Sequence, residues 1–122
     1  MEKTILVVDD SAMIRRIVGQ ILRECGYSHI VADNGKNGYE TAKREQPDLI
    51  IMDIEMPEMD GLEATTRIKA DPETAHIPVL FFTSLSREED IKKAEQAGGQ
   101  GFLNKPIAKE DLKTTLAKIF AQ

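Results

Sequence analysis

Ile5-Leu6-Val7-Val8-Asp9-Asp10 is a short apolar run that stops at two carboxylates. Bounded in this way it reads as a strand. The same device returns three times downstream: Leu49 to Met52 before Asp53, Val79 to Phe82 before Thr83, and Phe102-Leu103 before Lys105-Pro106. Between the runs the apolar period changes. Ile14, Ile17, Val18, Ile21, Leu22 and Cys25 recur at helical spacing, as do Leu112, Leu116, Ile119 and Phe120 near the end. Strands alternating with helices predict an α/β protein with a parallel, doubly wound sheet. Ligands of such sheets lie in the crevice beyond the carboxyl ends of the strands, so two acidic stops, a hydroxyl and an ammonium would converge on one edge.

Punctuation between the runs fits this layout. Ser86 with Glu89 forms a capping-box pattern for a helix running to about Ala97, where Gly98-Gly99 is a stop signal. Asn34-Gly35 and Asp60-Gly61 mark loops before helices, and Pro47, Pro72 and Pro78 mark turns.

The stops are residues that phosphate chemistry can use. Asp9, Asp10 and Asp53 packed together repel one another, and hard oxygen ligands at that density suit Mg²⁺, which takes only a few protein carboxylates and keeps several waters. A carboxylate can attack phosphorus to give an acyl phosphate. Asp53, alone on its run while Asp9 and Asp10 come as a pair, is the expected nucleophile. Lys105 supplies a point charge and Thr83 a hydroxyl donor for phosphoryl oxygens. Phosphoryl transfer asks little more of a protein than positioning and charge stabilisation.

Composition narrows the class. A chain of 122 residues with 41% hydrophobic and 30% charged residues has the size and balance of one ordinary soluble domain. Its apolar runs are too short to span a bilayer and its N-terminus lacks a basic segment before a long hydrophobic one, so no membrane insertion and a cytoplasmic location are expected. A net charge of −5 argues against direct nucleic-acid binding. Cys25 is the one cysteine, which excludes an internal disulfide and a cysteine-based zinc site, and its helical spacing makes it a small core residue. Arg15-Arg16 reads as the solvated flank of a helix, with phosphodonor docking as its alternative. His29 and His76 read as surface or loop residues.

The chain resembles a receiver domain of a two-component response regulator, of the single-domain CheY-like kind. The residues that carry the resemblance are Ile5-Leu-Val-Val-Asp-Asp-Ser11, Pro47-Asp-Leu-Ile-Ile-Met-Asp-Ile-Glu-Met-Pro57 with Asp60-Gly61-Leu62, Ile77-Pro-Val-Leu-Phe-Phe-Thr-Ser84, and Gly101-Phe-Leu-Asn-Lys-Pro106, which span essentially the whole chain. The resemblance implies a flavodoxin-like sheet of five strands in the order 2-1-3-4-5. It implies that Asp53 accepts a phosphoryl group from a sensor histidine kinase or a phosphotransfer protein. Asp9, Asp10, Asp53 and the main-chain carbonyl of Glu55 would hold Mg²⁺, and Lys105 would bind phosphate. Thr83 and Phe102 would act as the switch pair, and the Lys105–Pro106 bond would be cis. Output is expected on a protein-binding face made by the fourth helix, fifth strand and fifth helix, with no output domain of its own and no turnover activity in the ordinary sense. Chemotaxis or motility is suggested by Asp9-Asp-Ser-Ala-Met-Ile-Arg-Arg16.

Departures from the family's common pattern are few. Phe102 stands where many members have Tyr, Ser84 after Thr83 is small enough to leave a phosphodonor room, and Glu55 and Leu85 occupy positions that influence how long the acyl phosphate survives. Two further readings are carried forward. A haloacid-dehalogenase-type phosphatase also uses an Asp nucleophile with Mg²⁺, yet wants Asp-x-Asp at one strand end where this chain has Asp53-Ile-Glu55. A receiver-like interaction module that is never phosphorylated would not need Asp53, Thr83 and Lys105 intact. A flavin carrier lacks its phosphate loop after the first strand.

Overall fold

Strands and helices alternate through the whole of the computed structural model, which describes residues 2–121. In chain order these are β1 (Thr4–Val8), α1 (Ala12–Glu24), β2 (Ser28–Ala32), α2 (Gly35–Glu45), β3 (Leu49–Met52), α3 (Gly61–Ala70), β4 (Val79–Thr83), α4 (Glu88–Gln96), β5 (Gly101–Asn104) and α5 (Lys109–Ala121). The five strands form one parallel sheet in the order β2-β1-β3-β4-β5, the doubly wound flavodoxin-like arrangement. β1 and β3 run side by side with Ile5 opposite Leu49 and Val8 opposite Met52, so Asp9 and Asp53 leave the ladder as neighbours. The Asp53 N–H donates to the Val8 carbonyl at 2.9 Å, which carries the pairing to the acidic residues themselves.

The runs of β1, β3 and β4 are apolar throughout because these central strands are buried on both faces. Strand side chains alternate, so Leu6, Val8, Ile50, Met52, Val79 and Phe81 pack with Ala42 of α2, Ala64 and Ile68 of α3 and Ala94 of α4. Their neighbours Ile5, Val7, Leu49, Ile51, Leu80 and Phe82 pack with Val18 and Leu22 of α1 and Leu112 and Leu116 of α5. At roughly 1.5–3 kcal/mol for each large apolar side chain fully withdrawn from water, these two layers are the main force holding the sheet edge, and the site on it, in place.

Two helices differ from their sequence expectation. In α1, Val18 and Leu22 are buried, Ile14 and Ile21 half-buried, but Ile17 is 40% exposed. Cys25 is the helix C-cap, half-buried rather than a core residue. A helix lying on a sheet covers only an apolar stripe, and Ile17, a turn's quarter away from Val18, lies outside it. In α4 the cap is one residue later than Ser86-Glu89 suggests. The N-cap is Arg87, whose backbone N–H donates to Asp90 Oδ2 at 3.3 Å, and Asp90 is buried while Glu89 is exposed. Burial of Asp90 rather than Glu89 goes with this shift of the box by one residue. α4 ends at Gln96, and Gly98 follows with φ +104°, a conformation glycine adopts without strain.

Elsewhere the punctuation is the capping itself. Asn34 and Asp60 are N-caps, their side chains accepting from the Asn37 and Glu63 backbone N–H groups, each at 2.8 Å. Gly61 opens α3 because a side chain there would collide with the Asp53 carbonyl oxygen. His29 is no loop residue: it lies in β2, half-buried against Gly19 of α1, where burial lowers its pKa below the ordinary histidine range. His76 is exposed, as expected. Among the described residues no helix is long and apolar enough to cross a membrane.

Candidate active site

The carboxyl ends of β1 and β3 bring three acids together. One carboxylate oxygen each from Asp9, Asp10 and Asp53 lies within 4.8 Å of the others, a separation at which one hard cation can be shared. Asp9 and Asp53 are buried and Asp10 is exposed. Lys105 reaches across from the β5–α5 loop, its Nζ 2.9 Å from Asp9 Oδ2 and 3.4 Å from Asp53 Oδ2. The Lys105–Pro106 peptide bond is cis.

Four bonds hold Asp9. Its N–H donates to the Ala32 carbonyl at 3.2 Å, and its Oδ1 accepts from the Ser11 N–H at 2.9 Å. Oδ2 accepts from Lys105, and the carbonyl accepts from Arg15 Nη1 at 2.7 Å. Asp9 is thereby tied to β2, the start of α1 and the β5–α5 loop. Asp10 has no side-chain hydrogen bond among the described residues and is free to turn toward a ligand.

Charge in this cluster is poorly balanced. Burial first, then the charge of Asp9, pushes the Asp53 carboxyl up from 3.8 to about 6, against the opposing pull of Lys105. Burial also works against the Lys105 ammonium, but its hydrogen bond to Asp9 and the charges of Asp53 and Asp9 outweigh it and hold that pKa above the ordinary lysine value. Three carboxylates against one ammonium leave an excess of negative charge. The donor set is all oxygen, without the imidazole or thiolate that zinc prefers, so it fits a hard divalent cation such as Mg²⁺.

Thr83 ends β4 fully buried, its Oγ1 accepting from the Leu85 N–H at 3.3 Å while its own O–H donates to no group among the described residues. Asn104 ties the strand ends together by donating to the Thr83 carbonyl at 3.3 Å and the Leu85 carbonyl at 2.6 Å, and the Lys105 N–H adds a bond to the Thr83 carbonyl at 2.9 Å. Phe102 lies on β5 opposite Phe81, half-buried, against a cavity of about 250 Å³ that Ile91 and Ala94 of α4 also line. The fold thus gathers Asp9, Asp10, Asp53 and Lys105 directly, and puts Thr83 and Phe102 on the adjoining strands.

The family's model described as response regulator receiver domain matches residues 5–117. The chain belongs to the response regulator receiver family. Among its relatives, the chemotaxis protein CheY of Halobacterium salinarum is 40% identical over 119 residues, covering 98% of each chain. The polar-differentiation response regulator DivK of Brucella anthropi is 34% identical over 108 residues, covering 88% of each. Among solved structures, the receiver domain of a sensor histidine kinase from Pseudomonas aeruginosa PAO1, with a magnesium ion coordinated in its active-site cleft, has a TM-score of 0.92 at 27% identity and full coverage of both chains. This receiver is therefore CheY-like and a member of the two-component signalling proteins.

Some contacts at this receiver's site leave no mark in the sequence. Ser84 Oγ donates to Glu55 Oε1 at 3.0 Å, joining the loops after β3 and β4. Ser84 is thus not merely small, and the Glu55 side chain is engaged by it, while the acids grouped for a cation are Asp9, Asp10 and Asp53. Arg15 is half-buried on the Asp9 carbonyl rather than a fully solvated flank, whereas Arg16 is exposed. A bond to a main-chain carbonyl depends on no residue type at the acceptor, so no motif announces it.

Proposed function

We propose that this protein accepts a phosphoryl group on Asp53 from a phosphohistidine donor, a sensor histidine kinase or phosphotransfer protein, and that the aspartyl phosphate changes a protein-binding face made by α4, β5 and α5. The observation that carries the reading is the contact of Lys105 with both Asp9 and Asp53 inside the three-carboxylate cluster.

An Asp53 oxygen attacks phosphorus, the P–N bond of the donor breaks, and its electron pair returns to the imidazole nitrogen, leaving a neutral histidine and an acyl phosphate. Asp9, Asp10, Asp53 and the Glu55 carbonyl would hold Mg²⁺, which supplies charge neutralisation for the carboxylates and the phosphoryl oxygens. Asp9, fixed on every polar atom, gives the site its rigid wall. Lys105 follows the new negative charge on the Asp53 side, and the Thr83 O–H, which has no acceptor among the described residues, donates to a phosphoryl oxygen. These two bonds favour the conformer in which both can form, and only such differential contact shifts a conformational equilibrium. Phe102, beside its cavity, has room to change rotamer as Thr83 moves.

The 40% identity to a chemotaxis protein supports a chemotaxis or motility circuit as the setting. Acetyl phosphate with Mg²⁺ is expected to add one acid-labile phosphoryl group to the wild type and none to Asp53→Asn, whose amide is neither anionic nor nucleophilic. Undiminished labelling of that variant would overturn the assignment. Capture of partners from native lysate with and without beryllofluoride then identifies the output protein.

A further inference from the structure

Arg15 is the basic residue whose hydrogen bond ends on the main chain of the acidic turn itself. Arg15 lines a cavity of about 390 Å³ together with two acidic residues, Asp33 and Glu40, yet it makes no ion pair among the described residues. Instead Arg15 Nη1 donates to a neutral main-chain oxygen, the carbonyl of Asp9, at 2.7 Å. That carbonyl belongs to the peptide joining Asp9 to Asp10. Fixing it fixes the peptide plane between the two acidic residues, and Asp10 is exposed and has no side-chain hydrogen bond among the described residues. α1, which carries Arg15, is itself held by Val18 and Leu22 in the core. The helix therefore serves as the fixed mount from which Arg15 sets the Asp9–Asp10 turn.

We infer that Arg15 is a positioning residue for the acidic site: by holding the Asp9 carbonyl it orients the Asp9-Asp10 pair for a divalent cation. The inference rests on the Mg²⁺-assisted reading above. Outer partners of this kind are worth a good part of a metal site's affinity although they never touch the ion, because an unrestrained ligand must be ordered at the moment of binding. Charge alone would act the other way, since removing a cation beside three carboxylates should draw Mg²⁺ in more tightly. Position and charge thus predict opposite signs for one substitution.

The test compares wild type, Arg15→Ala, Arg15→Lys and Arg16→Ala as full chains. The last removes the same charge from the neighbouring exposed position. Mg²⁺ affinity is read by titration of the Asp9, Asp10 and Asp53 amide signals, alongside metal-free melting temperature and the rate of labelling by acetyl phosphate. Arg15→Ala is expected to bind Mg²⁺ about tenfold more weakly. Arg15→Lys, which can still make one N–H···O bond, and Arg16→Ala are expected to stay close to wild type, and all four are expected to melt alike without metal. Unchanged or tighter binding by Arg15→Ala, a loss of equal size in Arg15→Lys or Arg16→Ala, or a much lower metal-free melting temperature in Arg15→Ala would each overturn the inference. Wild type that neither binds Mg²⁺ nor takes a phosphoryl group would instead overturn the functional reading, so the two failures are told apart.

Discussion

Asp53 is strained electrostatically in the metal-free protein, and this can be measured. A carboxyl whose pKa rises from 3.8 in the unfolded chain to about 6 in the fold holds its proton more firmly when folded. Stability contributed by the protonated form is therefore lost as pH climbs through that window, and the penalty is complete at neutral pH. Asp53→Asn removes the penalty, and is expected to stabilise the metal-free protein at pH 7 by on the order of 2 kcal/mol or less, with the gain vanishing near pH 4. Urea unfolding at the two pH values checks it; equal gains at both would mean that burial and Asp9 do not govern this carboxyl. Asp10, exposed and without a side-chain hydrogen bond among the described residues, contributes to the cluster without supporting the fold. Asp10→Asn should weaken Mg²⁺ binding while leaving the metal-free melting temperature unchanged or slightly higher, which thermal melts with and without Mg²⁺ would show.

At the scale of elements, α4 offers a direct comparison between a local pattern and its tertiary outcome. Asp90, not Glu89, closes the cap on Arg87, so Asp90→Ala should cost about 1 kcal/mol while Ser86→Ala should be close to neutral. The reverse order in denaturant midpoints would restore the Ser86 box. The runs of β1, β3, β4 and β5 and the flanking stripes of α1 and α5 were legible, because an unbroken apolar run and a period near 3.6 are hard to imitate, whereas β2, a half-buried edge strand with Val31 48% exposed, was not among the runs. So were Asp9, Asp10, Asp53, Thr83 and Lys105, since strand ends in such sheets face one crevice. What escaped was whatever tertiary packing alone decides. Whether Ile17 lies inside or outside the covered stripe of α1, which of two adjacent carboxylates caps α4, and how His29 comes to rest on Gly19 depend on neighbours distant in sequence. The Ser84–Glu55 and Arg15–Asp9 bonds belong to the same class, the first joining residues 29 apart and the second ending on a backbone atom.

At the scale of the whole molecule, the proposed function predicts that acceptance and transmission are separable. Thr83→Ala and Lys105→Met keep Asp53 and the sheet intact, so both should fold and both should bind beryllofluoride more weakly. Even when loaded, neither should pass the change to the far face. An anion that no longer prefers one conformer shifts nothing, however firmly it is attached. Amide shifts of Phe102 and of α4, compared with and without beryllofluoride at saturation, are expected to shrink severalfold in each variant. Shifts of wild-type size would place the coupling outside Thr83 and Lys105.

The bond from Lys105 to Asp9 spans 96 positions of the sequence. Its consequence is temporal. As the protein emerges from the ribosome, β1, β2 and β3 can align long before β5 exists, leaving Asp9 and Asp53 side by side with no cation opposite. A nascent sheet of β1, β2 and β3 alone would therefore carry a self-repelling acidic edge, which the arrival of Lys105 partly offsets. On the proposed function, a chain cut between β3 and β5 would keep Asp53 but lack the Lys105 charge beside it.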